Sequence, residues 1–265
     1  MTTQNLPFVT SNQPCFAATV STGRNQLHGK QEGKTKMASR LKRLGIVLTI
    51  LGFAFVAASG YALFKTQEGY ASLNAFSAAQ GVELTYNDEG QLVDRGETEG
   101  ANAIMGLLTD DWGYPVAAAE LDPNDPVVNT GSEYMYQMAT VAYHTLHGTQ
   151  TVVLDEDFTA EDGTVYTAGT PYEIPVEGRY WADFDRSSPI DAAVREQAWT
   201  GVAHALIGEL GVGTVTASAL QLGLGLAGLF AGVGFSFAIA GLGLVWASRP
   251  ERMPVTVSRP ATVVA

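Results

Sequence analysis

The chain of 265 residues has one cysteine, Cys15, so it can build neither a disulfide framework nor a thiolate zinc site. It contains no G-x-S-x-G elbow and no G-x-x-x-x-G-K-[ST] phosphate loop, which removes the commonest serine-hydrolase and nucleotide-hydrolase constellations. Charge is scarce at 16%, against about 25% in an ordinary soluble domain. Positive charge is scarcer still: 15 Lys and Arg face 27 Asp and Glu, a net of −12. A nucleic acid partner needs a basic face and is not expected. With 46% hydrophobic residues, disorder over the whole length is excluded as well.

What the chain does have is two long uncharged runs. Residues 44–64 (LGIVLTILGFAFVAASGYALF) carry no charge over 21 residues, about 31 Å of helix, enough to cross a hydrocarbon core. Residues 211–248 form a second run, more than one helix needs. Its Gly-rich opening, GVGTVTAS, is expected at or above the membrane surface, with the span proper over residues 219–247. A hairpin turning near Gly232 and Gly234 is the alternative for this run.

Cation placement decides between them. Lys30, Lys34, Lys36, Arg40, Lys42 and Arg43 precede the first run, only Lys65 follows it, and Arg249 and Arg252 close the second. The positive-inside rule then puts both termini in the cytoplasm and requires two crossings, which excludes the hairpin. Between residues 66 and 210 there are 25 acidic residues against four arginines, a net of −21. That stretch is expected to fold outside the cell (inner) membrane. A cleaved signal peptide is the rival for the first span, but 43 residues precede it, too many for an ordinary n-region.

The expected organisation is a disordered basic cytoplasmic tail (1–43), a transmembrane helix (44–64), an acidic extracytoplasmic α+β domain (65–210), a second transmembrane helix with a Gly-rich lead-in (211–248), and a cytoplasmic tail (249–265). Met37 opens a compact basic start, MASRLKRLGIVL, and is expected to be the initiator. The fold class is therefore a mainly α membrane protein: two spans extended outward with a small α+β insert.

Within the insert, Leu73, Phe76 and Ala79 share a helical stripe that continues the first span. Residues 82–93 read as a hairpin turning at Asn87–Gly90, and residues 97–109 as a helix. Ser132 is expected to cap a helix running to His147, with Met135, Met138, Val141 and Ala142 buried. Strand 151–154 and a second β-ribbon over 165–181 follow. Ser188-Pro189-Ile190-Asp191 starts a helix, and Val194, Ala198, Val202, Leu206 and Leu210 recur at intervals of four. That helix is expected to lead straight into the membrane, loosened at Gly211 and Gly213.

The motifs point weakly to chemistry. GLGLAG (Gly223–Gly228) matches a dinucleotide fingerprint but has no strand before it. The packing reading takes Gly223, Ala227, Gly228, Ala231 and Gly232 as a small-residue face for a neighbouring helix, with Ala54 and Ala58 as a matching surface on the first span. His144 and His147 are three apart on one helix and, with His204, are the candidate metal ligands; two histidines and a carboxylate would suit non-haem iron, and zinc is the other metal considered. The plain alternative is that both histidines favour the negative end of the helix dipole. DEDFTAEDG (155–163) lacks the residues a calcium loop needs at its fifth and sixth positions. Asp110, Asp111 and Trp112, or Trp181, Asp183 and Asp185, would be carboxylate pairs beside an aromatic only if they met in space.

The segments LTYNDEGQLVDRG, IMGLLTDDWGYPV, LDPNDPVVNTGSEYMYQMATVAYHTLHGTQTVVL and AWTGVAHALIGELGVGTVTAS resemble a family of actinobacterial two-span membrane proteins over roughly residues 38–248. Its members often carry the label aromatic ring-opening dioxygenase, small-subunit type. That label implies iron held by two histidines and a glutamate, for which His144, His147 and His204 are the histidines on offer.

The expected function is that of a membrane protein acting as a non-enzymatic accessory or interaction subunit that presents an acidic outward domain. Its expected partners are membrane lipid and another membrane or envelope protein, or further copies of itself through the small-residue helix faces. No cofactor is expected in that role. Two alternatives stand beside it: an oxygenase-like metal enzyme using His144 and His147, and an extracytoplasmic sensor or binding module.

Overall fold

The computed structural model describes residues 22–249, with side chains described from residue 36. The protein is mostly helical, with a small strand region. Helix α1 (Thr22–Gln80) is followed by α2 (Thr98–Gly106), a π-helical turn (Leu107–Asp111), a 3-10 turn (Ala118–Glu120) and α3 (Gly131–Leu146). Strands β1 (Thr149–Val153), β2 (Phe158–Thr159), β3 (Val165–Tyr166) and β4 (Pro171–Pro175) come next, then α4 (Pro189–Ala198) and α5 (Gly201–Ala247). Two helices are long and apolar enough to span a membrane, over Lys36–Gln80 and Gly201–Ala247. Only 11% of each apolar window is buried. The core helix of a soluble domain would be mostly covered.

Residues 22–43, expected to be disordered, form the start of α1. No proline interrupts the chain between Pro14 and Pro115, and the Lys, Arg, Gln, Met and Leu residues that lead into the apolar run are good helix formers. The rest of that expected tail, residues 1–21, and residues 250–265 lie outside the described residues.

The chain forms two compact units. The first comprises Met1–Ala57 with Ala231–Ala265. In it α1 and α5 touch backbone to backbone. A Cβ on Gly45 would lie 2.7 Å from the Gly241 carbonyl oxygen, and one on Gly52 would lie 2.5 Å from the Ala238 nitrogen. Gly234 faces Val56 and the Gly52 carbonyl in return, at 2.8 and 2.9 Å. Phe55 and Phe237 meet edge-on, with centroids 6.1 Å apart.

The second unit is Ala58–Phe230. Here the Ser59 hydroxyl donates to the Ala227 carbonyl at 2.7 Å, and Thr66 lies where a Cβ on Gly223 would point. The residues that carry these contacts on α1 are seven apart in sequence: Gly45, Gly52, Ser59 and Thr66, then Leu73. On α5 the same spacing joins Gly213, Leu220, Ala227, Gly234 and Gly241. A spacing of seven returns the same face every two turns. This repeat displaces the expected stripe at the end of α1: Leu73 and Ser77 are buried, whereas Phe76 and Ala79 are exposed.

Helix α3 is the pivot of the folded insert. Its Ala139 belongs to a core with Ile104 and Leu108 of the α2 segment, Leu73 of α1 and Ala217 of α5. Its Ala142 and Leu146 belong to another core with Val152 of β1 and Ile190 and Val194 of α4. Covered on both sides, α3 buries only part of the expected stripe: Ala142 is buried as expected, Met135, Met138 and Val141 are only half-buried, and Tyr134, Tyr136, Ala139 and Leu146 are buried in their place. Its cap is Thr130, not Ser132. Thr130 and Glu133 form a reciprocal capping box, and the Ser132 hydroxyl accepts instead from the Ala117 N–H at 3.0 Å.

Tyr86 and Leu92 bridge across the turn at Asn87–Gly90, but Glu83 pairs with Val127 rather than within that hairpin. Strand β4 pairs antiparallel with β1, Val152 opposite Tyr172, and the short β2–β3 hairpin is nested between them. The expected ribbon over 165–181 is therefore split between two sheets. Two-stranded sheets need a packed face to persist; Val152, with Val176 just past β4, supplies it against α4.

Helix α4 starts as expected, with the Ser188 side chain accepting from the Asp191 N–H. The expected continuous run into the apolar segment does not form. The chain breaks at Trp199 and Thr200, where the Trp199 indole donates to the Arg179 carbonyl at 3.1 Å and the Thr200 hydroxyl accepts from the Ala203 N–H at 3.1 Å. The stripe at intervals of four divides there: Val194 and Ala198 are buried, while Val202 is 68% exposed. Gly211 and Gly213 do not loosen α5. Gly213 instead admits Tyr134, whose ring carbons lie 2.5 Å from where a Cβ would stand. The lead-in GVGTVTAS is thus a packed part of α5, with Thr214 and Ala217 buried.

Gly52→Ala should lower the thermal midpoint in mild detergent, because overpacking a close contact costs about 1–3 kcal/mol. Gly232→Ala, whose added Cβ meets nothing within 4 Å, should leave the midpoint unchanged or raise it slightly. Equal losses for the two variants would place the contact face elsewhere.

Candidate functional site

The second unit holds an apolar groove of about 410 Å³ between the end of α1 and the beginning of α5. Phe76 and Gln80 come from α1, Leu206, Glu209 and Val212 from α5, and Val82 and Val128 from the paired segments beside them. Its polar floor is satisfied internally, since the hydroxyls of Ser77 and Tyr134 are 2.8 Å apart. Glu209 is the one charged residue in the lining. The closeness of the walls follows from Gly213, which lets Tyr134 sit directly on α5.

Beside the groove, two carboxylates serve the start of α3. Glu133 is 1% exposed, and its Oε2 accepts from the N–H groups of Asn129 and Thr130 at 3.0 and 2.8 Å. Burial pushes the Glu133 carboxyl above the ordinary glutamate range, against the pull of those two donors. Glu120 accepts from the Ser132 N–H at 2.8 Å, and its other oxygen accepts from the Gln221 side chain of α5. Carboxylates at a helix N-terminus are favoured by the macrodipole. Glu120 also fastens that terminus to α5.

The histidines do not form one site. The His144 Nε2 lies 2.9 Å from Asp94 Oδ1, beside His147 and Arg95 in an open hollow. His147 Nδ1 is engaged by the Tyr143 carbonyl at 2.9 Å, and the Tyr143 ring lies against both imidazoles. His204 stands on the first turn of α5 against Trp181 and Trp199, its Nδ1 at 3.0 Å from the Thr200 carbonyl. Among the described residues, no three His, Cys, Asp or Glu side chains gather where they could hold a metal ion. Among the described residues, the arrangement of two histidines and a glutamate implied by the dioxygenase label is therefore not assembled. Near Asp94, the Tyr136 hydroxyl is buried without a hydrogen-bond partner; burial and the Asp94 carboxylate hold it as a neutral phenol.

Several other carboxylates serve loops. Asp122 accepts from the Asn124 N–H at 2.9 Å, which holds its carboxyl below the usual range. In the 155–163 segment, Asp157 accepts from Ala168 N–H and Asp162 from Thr164 N–H, 2.8 and 2.9 Å. Asp183 and Asp185 likewise accept from Tyr180 and Ser187 N–H groups, both at 2.8 Å. Trp181 takes the Arg195 guanidinium on its face at 4.3 Å. Asp110 and Asp111 end the π turn, and the Trp112 indole donates to the Tyr180 hydroxyl at 2.9 Å.

Of the small residues proposed for helix packing, Gly223 and Ala227 face α1 in the second unit, and Ala231 is half-buried. Ala54, Ala58, Gly228 and Gly232 are exposed. The close contact uses Gly45, Gly52, Ser59, Thr66, Gly234 and Gly241 instead, because a stripe at intervals of four turns away from a partner whose small residues recur at seven.

Glu133 has a pH signature. A carboxyl raised in the folded state contributes stability that is fully present below its unfolded pKa and is lost as pH rises through the folded value. The thermal midpoint of the wild type, measured relative to Glu133→Gln, should therefore rise as the solution is acidified from neutral toward the ordinary glutamate range. Glu133→Ala, which strips two N–H groups of their acceptor, should cost about 1–3 kcal/mol, with the same rise in that cost on acidification. A difference between wild type and Glu133→Gln that does not move with pH would contradict this account. No protein-family model, no curated protein and no solved structure matches the chain.

Proposed function

We propose that the chain is a two-pass inner-membrane protein with both ends in the cytoplasm and residues 65–210 outside, acting as a non-enzymatic accessory subunit that presents its acidic domain to a partner. The observation that carries this reading is the pair of long apolar helices left uncovered over nearly nine-tenths of their apolar windows while they continue into the cores of a folded insert. Uncovered apolar surface of that length is favourable in hydrocarbon and costly in water. The cation clusters before residue 44 and after residue 248, against a net of −21 between residues 66 and 210, give the orientation. The role is supported by the net negative charge of that segment, several of whose acids cap helices and close turns, and by the apolar groove it contains.

Proteinase added to spheroplasts should cut within residues 65–210, and a green fluorescent reporter fused after Ala265 should fluoresce. Protection of that segment would reverse the topology. Purification in mild detergent after in-cell crosslinking should give a stoichiometric complex with another membrane or envelope protein. A lone, monodisperse chain would remove the accessory role and leave the topology standing.

A further inference from the structure

The groove between α1 and α5 lies in a part of the helices that no bilayer would cover. Lys65, paired with Glu68 at 2.6 Å, is the cation that ends the first apolar run. Leu73 to Gln80 lie further along α1 by roughly 12–22 Å at 1.5 Å per residue. The headgroup layer accounts for only about 5–7 Å of that distance on each side of a bilayer. Exposed Gln67, Glu68 and Asn74 line α1 on the way, as they would in water. Yet Phe76 is 50% exposed and Val212 is 68% exposed at the groove, with Leu206 between. Apolar surface held open to water is stabilised when another apolar surface covers it.

Charge selects the occupant. The groove has one acidic side chain, Glu209, and it sits in a segment with a net of −21. None of the four arginines of that segment lines it. Arg179 is paired with Asp191 at 2.9 Å, and Arg195 is stacked on Trp181. A second copy would bring the same anionic domain against this one, and like charges brought together at an interface are repelled. A lipid acyl chain would have to leave the bilayer to reach the groove.

We infer that the groove receives a basic amphipathic helix from a partner protein, its apolar face seated between Phe76, Leu206 and Val212 and its cations turned toward Glu209 in a segment of net negative charge. This deepens the accessory role and rests on residues 65–210 standing outside the membrane.

The test uses the full chain in phosphatidylcholine nanodiscs and a labelled 18-residue peptide with leucine on one helical face and lysine on the other. Anisotropy should show this peptide binding above the level of empty discs, and the same peptide with glutamate for lysine should stay at that level. Leu206→Asp and Val212→Asp should each weaken binding about tenfold or more, since a carboxylate would be buried under the peptide. Val215→Asp, on an exposed α5 residue outside the groove lining, should leave binding unchanged. A benzophenone side chain in place of Phe76 should crosslink to the lysine peptide.

Absence of binding, equal binding of both peptides, or indifference to Leu206→Asp and Val212→Asp with helix content preserved would overturn the proposal. So would a crosslink from position 76 to lipid or to a second copy in preference to the peptide. Each of these outcomes can occur with the protease result intact, which separates the failure of the groove from the failure of the two-pass topology.

Discussion

A Cβ on Gly52 has nowhere to go: the Ala238 nitrogen, the Gly234 carbonyl and the Ala238 Cα already stand within 3 Å of it. In the bilayer setting proposed above, lipid tails and leucine are equally apolar, so the hydrophobic effect would give no advantage to association and backbone contact of this kind would have to hold the helices together. Dispersion between closely matched backbones, with a hydroxyl such as Ser59 donating to an Ala227 carbonyl, supplies that contact. The insert between the helices depends on the same closeness. Tyr134 reaches Ser77 only because Gly213 carries no side chain, and Tyr134 is part of the core that joins α3 to both long helices.

The anionic character of the insert has a structural origin as well as an electrostatic effect. Its connections are short and rich in turns, and Asp and Glu are the side chains that accept from loose backbone N–H groups. Asp122, Asp157, Asp162, Asp183 and Asp185 each hold one such donor. An insert built this way tolerates its net charge because most of its acids face water, and Glu133, the exception, is raised by burial above the ordinary glutamate range while two backbone N–H groups pull the other way. Acidity here is first a solution to backbone hydrogen bonding.

Much of the architecture was legible in the chain. The two apolar runs, the Asn87–Gly90 turn and the Ser188–Asp191 helix start are local signals, and each appears where local rules place it. The packing face was harder. Helix α5 has so many small residues that stripes at intervals of four and of seven both run along it, and only the partner's Gly45, Gly52 and Ser59 select between them. The cap of α3 was present as the T-x-x-E signature at Thr130–Glu133 but was overshadowed by Ser132. The break at Trp199 was hidden because the apolar spacing runs through it unchanged; Thr200, a capping residue before Gly201, was its sign. The separation of His204 from His144 and His147 is a property of the tertiary fold, on which spacing along one helix says nothing.

Helix α3 grips α5 at two levels, Tyr134 on Gly213 and, by way of Glu120, the Ser132 N–H on Gln221. Those levels are separated by about 12 Å along the α5 axis. One point of attachment would let a rod spin beneath it; two fixed heights make a clamp. Helix α3 also borders both cores of the insert, so the two attachments fix the height of α5 against each of them.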